Sequence, residues 1–137
     1  MNLFVDTSVW SLALRRDAPD DTPEVDRLRE ALASQEAVYT TGLVLQELLQ
    51  GFMGPTAHEA IVERFAALPI IIPDRDDYIG AAEIRNRCRR HGVQLATVDA
   101  LLVRLCVQHD LEMLTTDGDF RHAASHTPLR VWRPSAA

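Results

Sequence analysis

The chain has 137 residues, of which 47% are hydrophobic and 25% are charged, and these proportions are typical of one folded domain rather than of a disordered or fibrous protein. The net charge of −6 argues against nucleic-acid binding through overall positive charge, so any such contact must be local. No run approaches the ~20 apolar residues that span a bilayer, and no signal peptide is apparent at the start. We therefore expect a single cytoplasmic domain over residues 1–137, without a membrane partner.

The first half of the chain alternates short apolar runs with helical patterns. Residues 3–5 form a predicted strand, after which Asp6, Thr7 and Ser8 can cap a helix that begins near Val9. A polar loop is expected at 17–21. Thr22 as N-cap and Pro23 as the first helical residue then predict a helix to residue 34, followed by a strand at 37–40 and a helix over 41–51.

The second half continues the alternation. Thr56 and Glu59 have the capping-box spacing and predict a helix over 56–68. The other predicted elements are a strand at 69–73, a helix over 77–90, a helix from 97 to 107, a strand at 111–115, a short turn at 117–120 and a strand at 129–132. Such alternation predicts an α/β fold with a mainly parallel sheet of four to five strands and helices on both faces.

Four acidic residues recur at comparable places in these elements. Asp6 closes the first strand and Asp117 follows a later one, so both are expected at the carboxyl edge of a parallel sheet. Asp99 lies in the first turn of its helix, and Glu47 lies within a leucine-rich helix. Each residue alone is explained by helix capping, by the helix dipole or by a solvated face. The agreement of their contexts predicts that they converge on one cleft.

A cluster of carboxylates requires a cation, because like charges within a few Å repel and raise one another's pKa. Ligands that are all oxygen suit Mg²⁺ or Mn²⁺ better than zinc. Such a centre activates water for phosphodiester hydrolysis. Thr7, Ser8 and Thr116 adjoin the acids, and their hydroxyls either position the carboxylates or serve only as turn and cap residues.

At these residues the chain resembles the PIN-domain family, in particular its VapC ribonuclease toxins. The resemblance lies in four segments that occur in the same order, at residues 4–10 (FVDTSVW), 45–51 (LQELLQG), 97–102 (TVDALL) and 114–120 (LTTDGDF). It implies a three-layer α/β/α sandwich. It also implies a Mg²⁺- or Mn²⁺-dependent endoribonuclease whose catalytic metal ligands are Asp6, Glu47, Asp99 and Asp117, with Asp119 as an optional fifth ligand.

The resemblance implies partners as well. These are an RNA substrate, a second copy of the chain in a homodimer, and a small VapB-like antitoxin that inhibits the toxin and binds operator DNA together with it. A catalytically inactive PIN-fold module that binds RNA or protein is the alternative, although all four acids are present. Phosphoaspartate enzymes and P-loop hydrolases are disfavoured, since both ordinarily use a lysine and all 14 basic residues here are arginine.

Three further groups of residues have simpler interpretations. His122 and His126 have the spacing of a zinc pair but lack the usual additional ligands, and we favour a surface role. Four arginines, at positions 85, 87, 89 and 90, indicate either a solvated helix or an RNA track, and the acidic net charge favours the former. Cys88 and Cys106 are expected to be reduced packing residues.

Overall fold

The computed structural model describes residues 2–15 and 22–135, so the polar loop predicted at 17–21 lies outside the described residues. Within them, short strands alternate with helices along the chain. The strands are β1 (Leu3–Val5), β2 (Val38–Thr41), β3 (Ile70–Ile71), β4 (Glu112–Leu114) and β5 (Arg130–Val131). The helices are α1 (Thr7–Leu14), α2 (Pro23–Ala33), α3 (Gly42–Gly51), α4 (Pro55–Ala66), α5 (Arg75–Arg90), α6 (Thr97–Gln108) and α7 (Gly118–Ala124).

The five strands form one parallel sheet in the order β3-β2-β1-β4-β5. The central strand β1 pairs on both sides, with Phe4 opposite Tyr39 of β2 and Met113 of β4. Its three residues have no solvent exposure, as expected for a parallel strand covered on both faces. The predicted parallel sheet is therefore confirmed, with five strands.

Helices cover both faces of the sheet. From β1 the chain adds β2 and then β3 toward one edge of the sheet, and it then crosses back over the sheet to β4 on the other side of β1. Because parallel crossovers are almost always right-handed, α1 to α4 lie on one face and α5 and α6 on the other. The packing agrees, since α1 contacts α2 and α3, α3 contacts α4, and α5 packs along α6. This arrangement confirms the expected α/β/α sandwich.

The core between the layers is formed by apolar side chains from the sheet and the helices. Trp10 of α1 packs against Phe65 of α4, with ring centroids 5.0 Å apart. Cys88 and Cys106 are buried and free, and burial raises the pKa of both thiols, so their predicted packing role is confirmed. No described helix is long and apolar enough to cross a membrane.

The capping box predicted at Thr56 and the turn predicted at 117–120 are both wrong. The helix expected to begin at Thr56 begins at Pro55 after Gly54, and Thr56 makes no cap hydrogen bond. The capping box lies instead at α5, where the Asp74 carboxylate accepts from the amide of Asp77 and the Asp77 carboxylate accepts from the amide of Asp74. Residues 117–120 do not form an isolated turn, because Asp117 is the N-cap of the seven-residue helix α7.

Close packing of α5 on α6 fixes the helix that carries Asp99. The Arg104 Nε of α6 donates to the buried Asp77 Oδ1 at 3.1 Å. The side chain of Arg104 lies directly over Gly80, where an added Cβ would come within 2.7 Å of Arg104 Nη1. An alanine at position 80 would therefore have to displace the Arg104 side chain from its place over α5.

Candidate active site

Asp6 lies at the carboxyl end of the central strand, where it caps α1. Only 4% of its surface is exposed, and its Oδ1 accepts from the Val9 amide at 3.4 Å. Burial raises the pKa of Asp6 above its ordinary value of 3.8, against the opposing effect of hydrogen bonds from Ser8 and Thr115. The residue is thus both the helix cap considered from the sequence and a carboxylate held in a region of low polarity.

Two hydroxyl groups fix the Asp6 carboxylate on both of its oxygens. Ser8 Oγ donates to Oδ1 at 2.6 Å, and Thr115 Oγ1 donates to Oδ2 at 2.6 Å. Each hydroxyl is oriented in turn, because Ser8 Oγ accepts from the Thr116 amide at 3.0 Å and Thr115 Oγ1 accepts from the Asp117 amide at 2.9 Å. The carboxylate therefore has one defined orientation at the edge of the sheet.

The segment after β4 brings in two further acids. Asp117 caps α7, with its Oδ1 accepting from the Asp119 amide at 2.9 Å. The parallel pairing of β4 with β1 brings Asp117 to the same edge as Asp6, and the negative charge of Asp117 contributes to the raised pKa of Asp6. Asp119 lies exposed in the first turn of α7.

Asp99 is the residue on which the other acids act together. It lies partly buried in the first turn of α6, and its pKa is raised from 3.8 to about 6. Burial is the largest cause, followed by the negative charges of Asp117, Glu47, Asp6 and Asp119 in that order. All five acidic residues considered from the sequence are therefore close enough to interact electrostatically at one site.

Glu47 approaches this site from the other face of the sheet. It is exposed on α3, and its Oε1 accepts a hydrogen bond from Thr7 Oγ1 at 3.0 Å. Thr7 is the first residue of α1 and directly follows Asp6, so this bond ties α3 to the start of α1. Of the three auxiliary residues, Thr7 and Ser8 contact acids through their hydroxyls, whereas Thr116 contributes its backbone amide.

The donor set fits a hard divalent cation in its chemistry. All five side chains are carboxylates. Burial, and after it the negative charges of the other acids, raises the pKa of Asp99, and a bound cation would offset both effects. Within residues 2–15 and 22–135, no three His, Cys, Asp or Glu side chains are already close enough to hold one ion. Carboxylates without a cation between them are expected to stay apart, and Glu47 is exposed on its helix surface.

Thr115 was not identified from the sequence. It directly follows β4 and is fully buried, and a hydroxyl there is not distinguishable by pattern from any strand residue. The only available signal was its spacing, two residues before Asp117, which is typical of a hydroxyl that accepts from a following amide. Its contact with Asp6, 109 residues away in sequence, appears only in the folded chain.

The histidine pair considered for zinc is arranged differently. The ring of His126 stacks on His91, with centroids 4.4 Å apart and planes 7° from parallel. His122 is exposed in the last turn of α7. These contacts agree with the surface role favoured from the sequence.

A protein-family model matches the sequence, and solved structures match the fold. The family model of the PIN domain matches residues 3–125. Among solved structures, VapBC2 of Rickettsia felis bound to a promoter DNA fragment has a TM-score of 0.75 at 18% identity, covering 96% of this chain and 98% of that one.

Two other solved structures are similar over most of their length. VapC20 of Mycobacterium tuberculosis, described as a sarcin-ricin loop cleaving toxin, has a TM-score of 0.67 at 23% identity over 93% and 98% of the two chains. FitAcB of Neisseria gonorrhoeae has a TM-score of 0.69 at 22% identity over 96% of each chain. No curated protein sequence gives a significant match. The family match spans nearly the whole chain and includes every acid of the site, and the chain therefore belongs to the PIN-domain family.

Proposed function

We propose that this protein is a VapC-type toxin that acts in the cytoplasm as a Mg²⁺- or Mn²⁺-dependent endoribonuclease. The observation that carries the proposal is the convergence on Asp99, whose pKa is raised to about 6 by burial and by four other carboxylates. Negative charge concentrated in a partly buried site costs stability, and a divalent cation bound there would compensate that charge. Toxin–antitoxin proteins among the solved structures of this fold support the toxin assignment.

The residues that would hold the cation are Asp6, Glu47, Asp99 and Asp117, with Asp119 as an additional ligand. A bound cation supplies an activated water for attack on a phosphodiester and stabilises the charge that develops on the phosphate oxygens. Ser8 and Val9 donate to Oδ1 of Asp6 and Thr115 donates to Oδ2, so Oδ2 keeps one lone pair without a donor among the described residues. With its carboxylate fixed in this way, Asp6 loses little further freedom when it binds a cation.

The decisive experiment measures cleavage of RNA by the purified protein in Mg²⁺ or Mn²⁺. Asp6→Asn, Asp99→Asn and Glu47→Gln should each reduce cleavage at least about a hundredfold, because a neutral amide replaces a metal ligand. EDTA should abolish cleavage. Glu63→Gln is the matched control for Glu47→Gln, since Glu63 is also exposed on a helix, α4, but lies outside the site.

Full activity of the Asp6→Asn variant would refute the proposed mechanism. If the wild-type protein binds RNA without cleaving it in any divalent metal, the chain is instead an inactive binding module. Mass-action stabilisation by millimolar Mn²⁺, measured as a rise in melting temperature, tests the cation site without reference to activity. The Asp99→Asn variant should lose this rise.

The partners we propose are those of a VapBC pair. VapBC2 of Rickettsia felis was solved with a DNA fragment from its promoter. With a net charge of −6, this chain is poorly suited to bind operator DNA by itself, so we assign DNA contact to a VapB-like antitoxin in the complex. A gel-shift experiment with toxin alone, antitoxin alone and the complex tests this assignment. A shift with the toxin alone would contradict it.

A homodimer is supported by an apolar surface beside the site. Ile72, Tyr78 and Ile79 are 84%, 57% and 54% exposed around the start of α5, and this patch is the dimer surface that we assign. From the patch a largely apolar groove of about 670 Å³ extends between β3, α5 and the start of α6, and its lining includes Arg85 and Asn86 two turns farther along α5. Exposed apolar patches of this kind commonly mark interfaces. We expect light scattering to show a dimer that Ile72→Lys converts to a monomer. A wild-type protein that is monomeric at micromolar concentration would refute the dimer.

A further inference from the structure

The acidic site creates a problem for the substrate proposed above. RNA is a polyanion, and both the five carboxylates and the net charge of −6 repel it. Productive binding therefore requires positive charge close to the site, arranged so that it contacts phosphates on either side of the reacting one. This inference rests on the proposed function, and it concerns where that charge lies.

The strongest concentration of positive charge is the second half of α5, which contains Arg85, Arg87, Arg89 and Arg90. One contact fixes the position of this segment. Arg85 Nε donates to the carbonyl oxygen of Leu95 at 2.9 Å, and Leu95 lies four residues before Asp99 in the loop that leads into α6. The end of α5 therefore lies beside the start of the helix that carries Asp99.

The four arginines lie on different sides of α5. Ala81, Ile84 and Cys88 are buried and define the side that faces the core. With a rotation of about 100° per residue, Arg85 and Arg89 fall one turn apart on the flank beside the start of α6. The groove confirms this flank, because Arg85 and Asn86 line it together with Thr97 and Val98. Arg90 faces solvent, and Arg87 falls on the opposite flank.

These arginines carry charge that no carboxylate neutralises. Arg27, Arg29, Arg104, Arg121 and Arg130 each pair with an acid, whereas Arg85, Arg87, Arg89 and Arg90 form no ion pair with any described residue. Arg89 Nη2 donates to the neutral Asn86 Oδ1 at 2.7 Å. This bond extends the guanidinium along the flank that borders the groove.

The helix dipole alone also favours cations in the last turn of α5. That effect applies equally to Arg87 and Arg89, which both lie in that turn. Because Arg87 and Arg89 share the dipole effect but lie on opposite flanks of α5, a difference between them in RNA binding indicates a binding role and not a stabilising one.

We propose that Arg89, with Arg90 beside it, binds the phosphates of the RNA strand next to the scissile bond and holds that strand across the acidic site. Arg85 is a positioning residue, since its hydrogen bond to Leu95 keeps this end of α5 against the loop before α6. The planar guanidinium groups provide paired donors for phosphate oxygens.

The test measures binding of a fluorescein-labelled 12-nucleotide single-stranded RNA by anisotropy, in EDTA so that no cleavage occurs, from 50 to 200 mM KCl. Arg89→Gln should weaken binding about fivefold to tenfold, and loss of one phosphate contact should lower the slope of log affinity against log salt by about 0.7. Arg89→Lys should keep the slope. Arg87→Gln is the matched control and should change neither quantity.

Circular dichroism and light scattering should show that the variants remain folded and in the same assembly state. Equal losses in Arg87→Gln and Arg89→Gln would overturn the proposal, because they would indicate a general charge effect. An unchanged affinity in Arg89→Gln, or no RNA binding by the wild-type protein, would also overturn it. The cleavage assay tests the proposed function separately. If RNA binds through Arg89 but is not cleaved, the nuclease function is refuted. If RNA is cleaved but its binding does not depend on Arg89, only the proposed RNA-binding site is refuted.

Discussion

The Asp99→Asn substitution, which we expect to reduce cleavage strongly, should also raise the free energy of unfolding. The pKa of Asp99 is about 6 in the folded chain against an ordinary value of 3.8, so its ionised form favours unfolding. A difference of about two pH units corresponds to about 3 kcal/mol, and solvent screening of this partly exposed group reduces the effect to about 1–2 kcal/mol. Asp99→Asn should therefore be more stable than wild type by about that amount at pH 7 in EDTA.

The pH dependence follows from the direction of the shift. Because the folded pKa is raised, the stability associated with protonated Asp99 is present below about pH 4 and is lost as the pH rises through about 6. Urea denaturation of wild type and Asp99→Asn, followed by circular dichroism at pH 4 and pH 7, should thus show a difference only at pH 7. Subtracting the free energy of unfolding of wild type from that of Asp99→Asn at each pH cancels the contributions of the other titrating groups.

Asp76→Asn is the control for this comparison. Asp76 is an exposed acid in the first turn of α5, as Asp99 is an acid in the first turn of α6. Its replacement should give no gain in stability, since it removes only a favourable interaction with the helix dipole. If Asp99→Asn is less stable than wild type at pH 7, or if the difference is the same at pH 4, the electrostatic account of the site is wrong.

Substitutions at Thr115, Gly80 and Asp74, with Thr115→Ser and Thr56→Ala as comparisons, test other contacts by urea denaturation. Thr115→Val removes the hydroxyl between Asp6 and the Asp117 amide and should lower the free energy of unfolding by about 2–3 kcal/mol. Thr115→Ser keeps the hydroxyl and should cost less than half of that. Equal losses would contradict a role for the hydroxyl. Gly80→Ala should displace Arg104 from Asp77, and after the gain of about 1 kcal/mol in helix propensity it should still cost about 1 kcal/mol. A net gain of about 1 kcal/mol would show that Arg104 moves aside freely. Asp74→Ala should cost about 1 kcal/mol through loss of the capping box, and Thr56→Ala under about 0.5 kcal/mol; the reverse order would contradict the observed caps.

The parallel sheet and the helical layers on both of its faces could be predicted because alternating apolar patterns and right-handed crossovers leave few arrangements. Individual helix starts were less predictable. Thr56 and Glu59 have the favoured capping-box residues, yet Pro55 is already helical and needs no amide partner, so the helix begins earlier. Asp74 and Asp77 perform the same function with two aspartates. The glycine after Asp117 is typical of a turn, and this concealed the short helix α7.

The candidate site was predictable to a similar extent. The positions of Asp6 and Asp117 follow from strand ends, which share one edge in any parallel sheet. The exposure of Glu47 and its bond to Thr7 depend on how α3 is rotated against α1, and local sequence does not determine that rotation. Thr115 could not be identified because its importance lies in a contact between distant segments.

That contact also determines when the site can form during synthesis of the chain. Asp6 is made before Thr115, whose hydroxyl orients it, and the paired strands that bring the two together, β1 and β4, are far apart in the sequence. Pairing of such distant segments follows closure of a long loop and is slow compared with local helix formation. A growing chain that has not yet reached β4 therefore contains Asp6 without the Thr115 hydroxyl that orients it, so the nuclease site proposed above would assemble only late in synthesis.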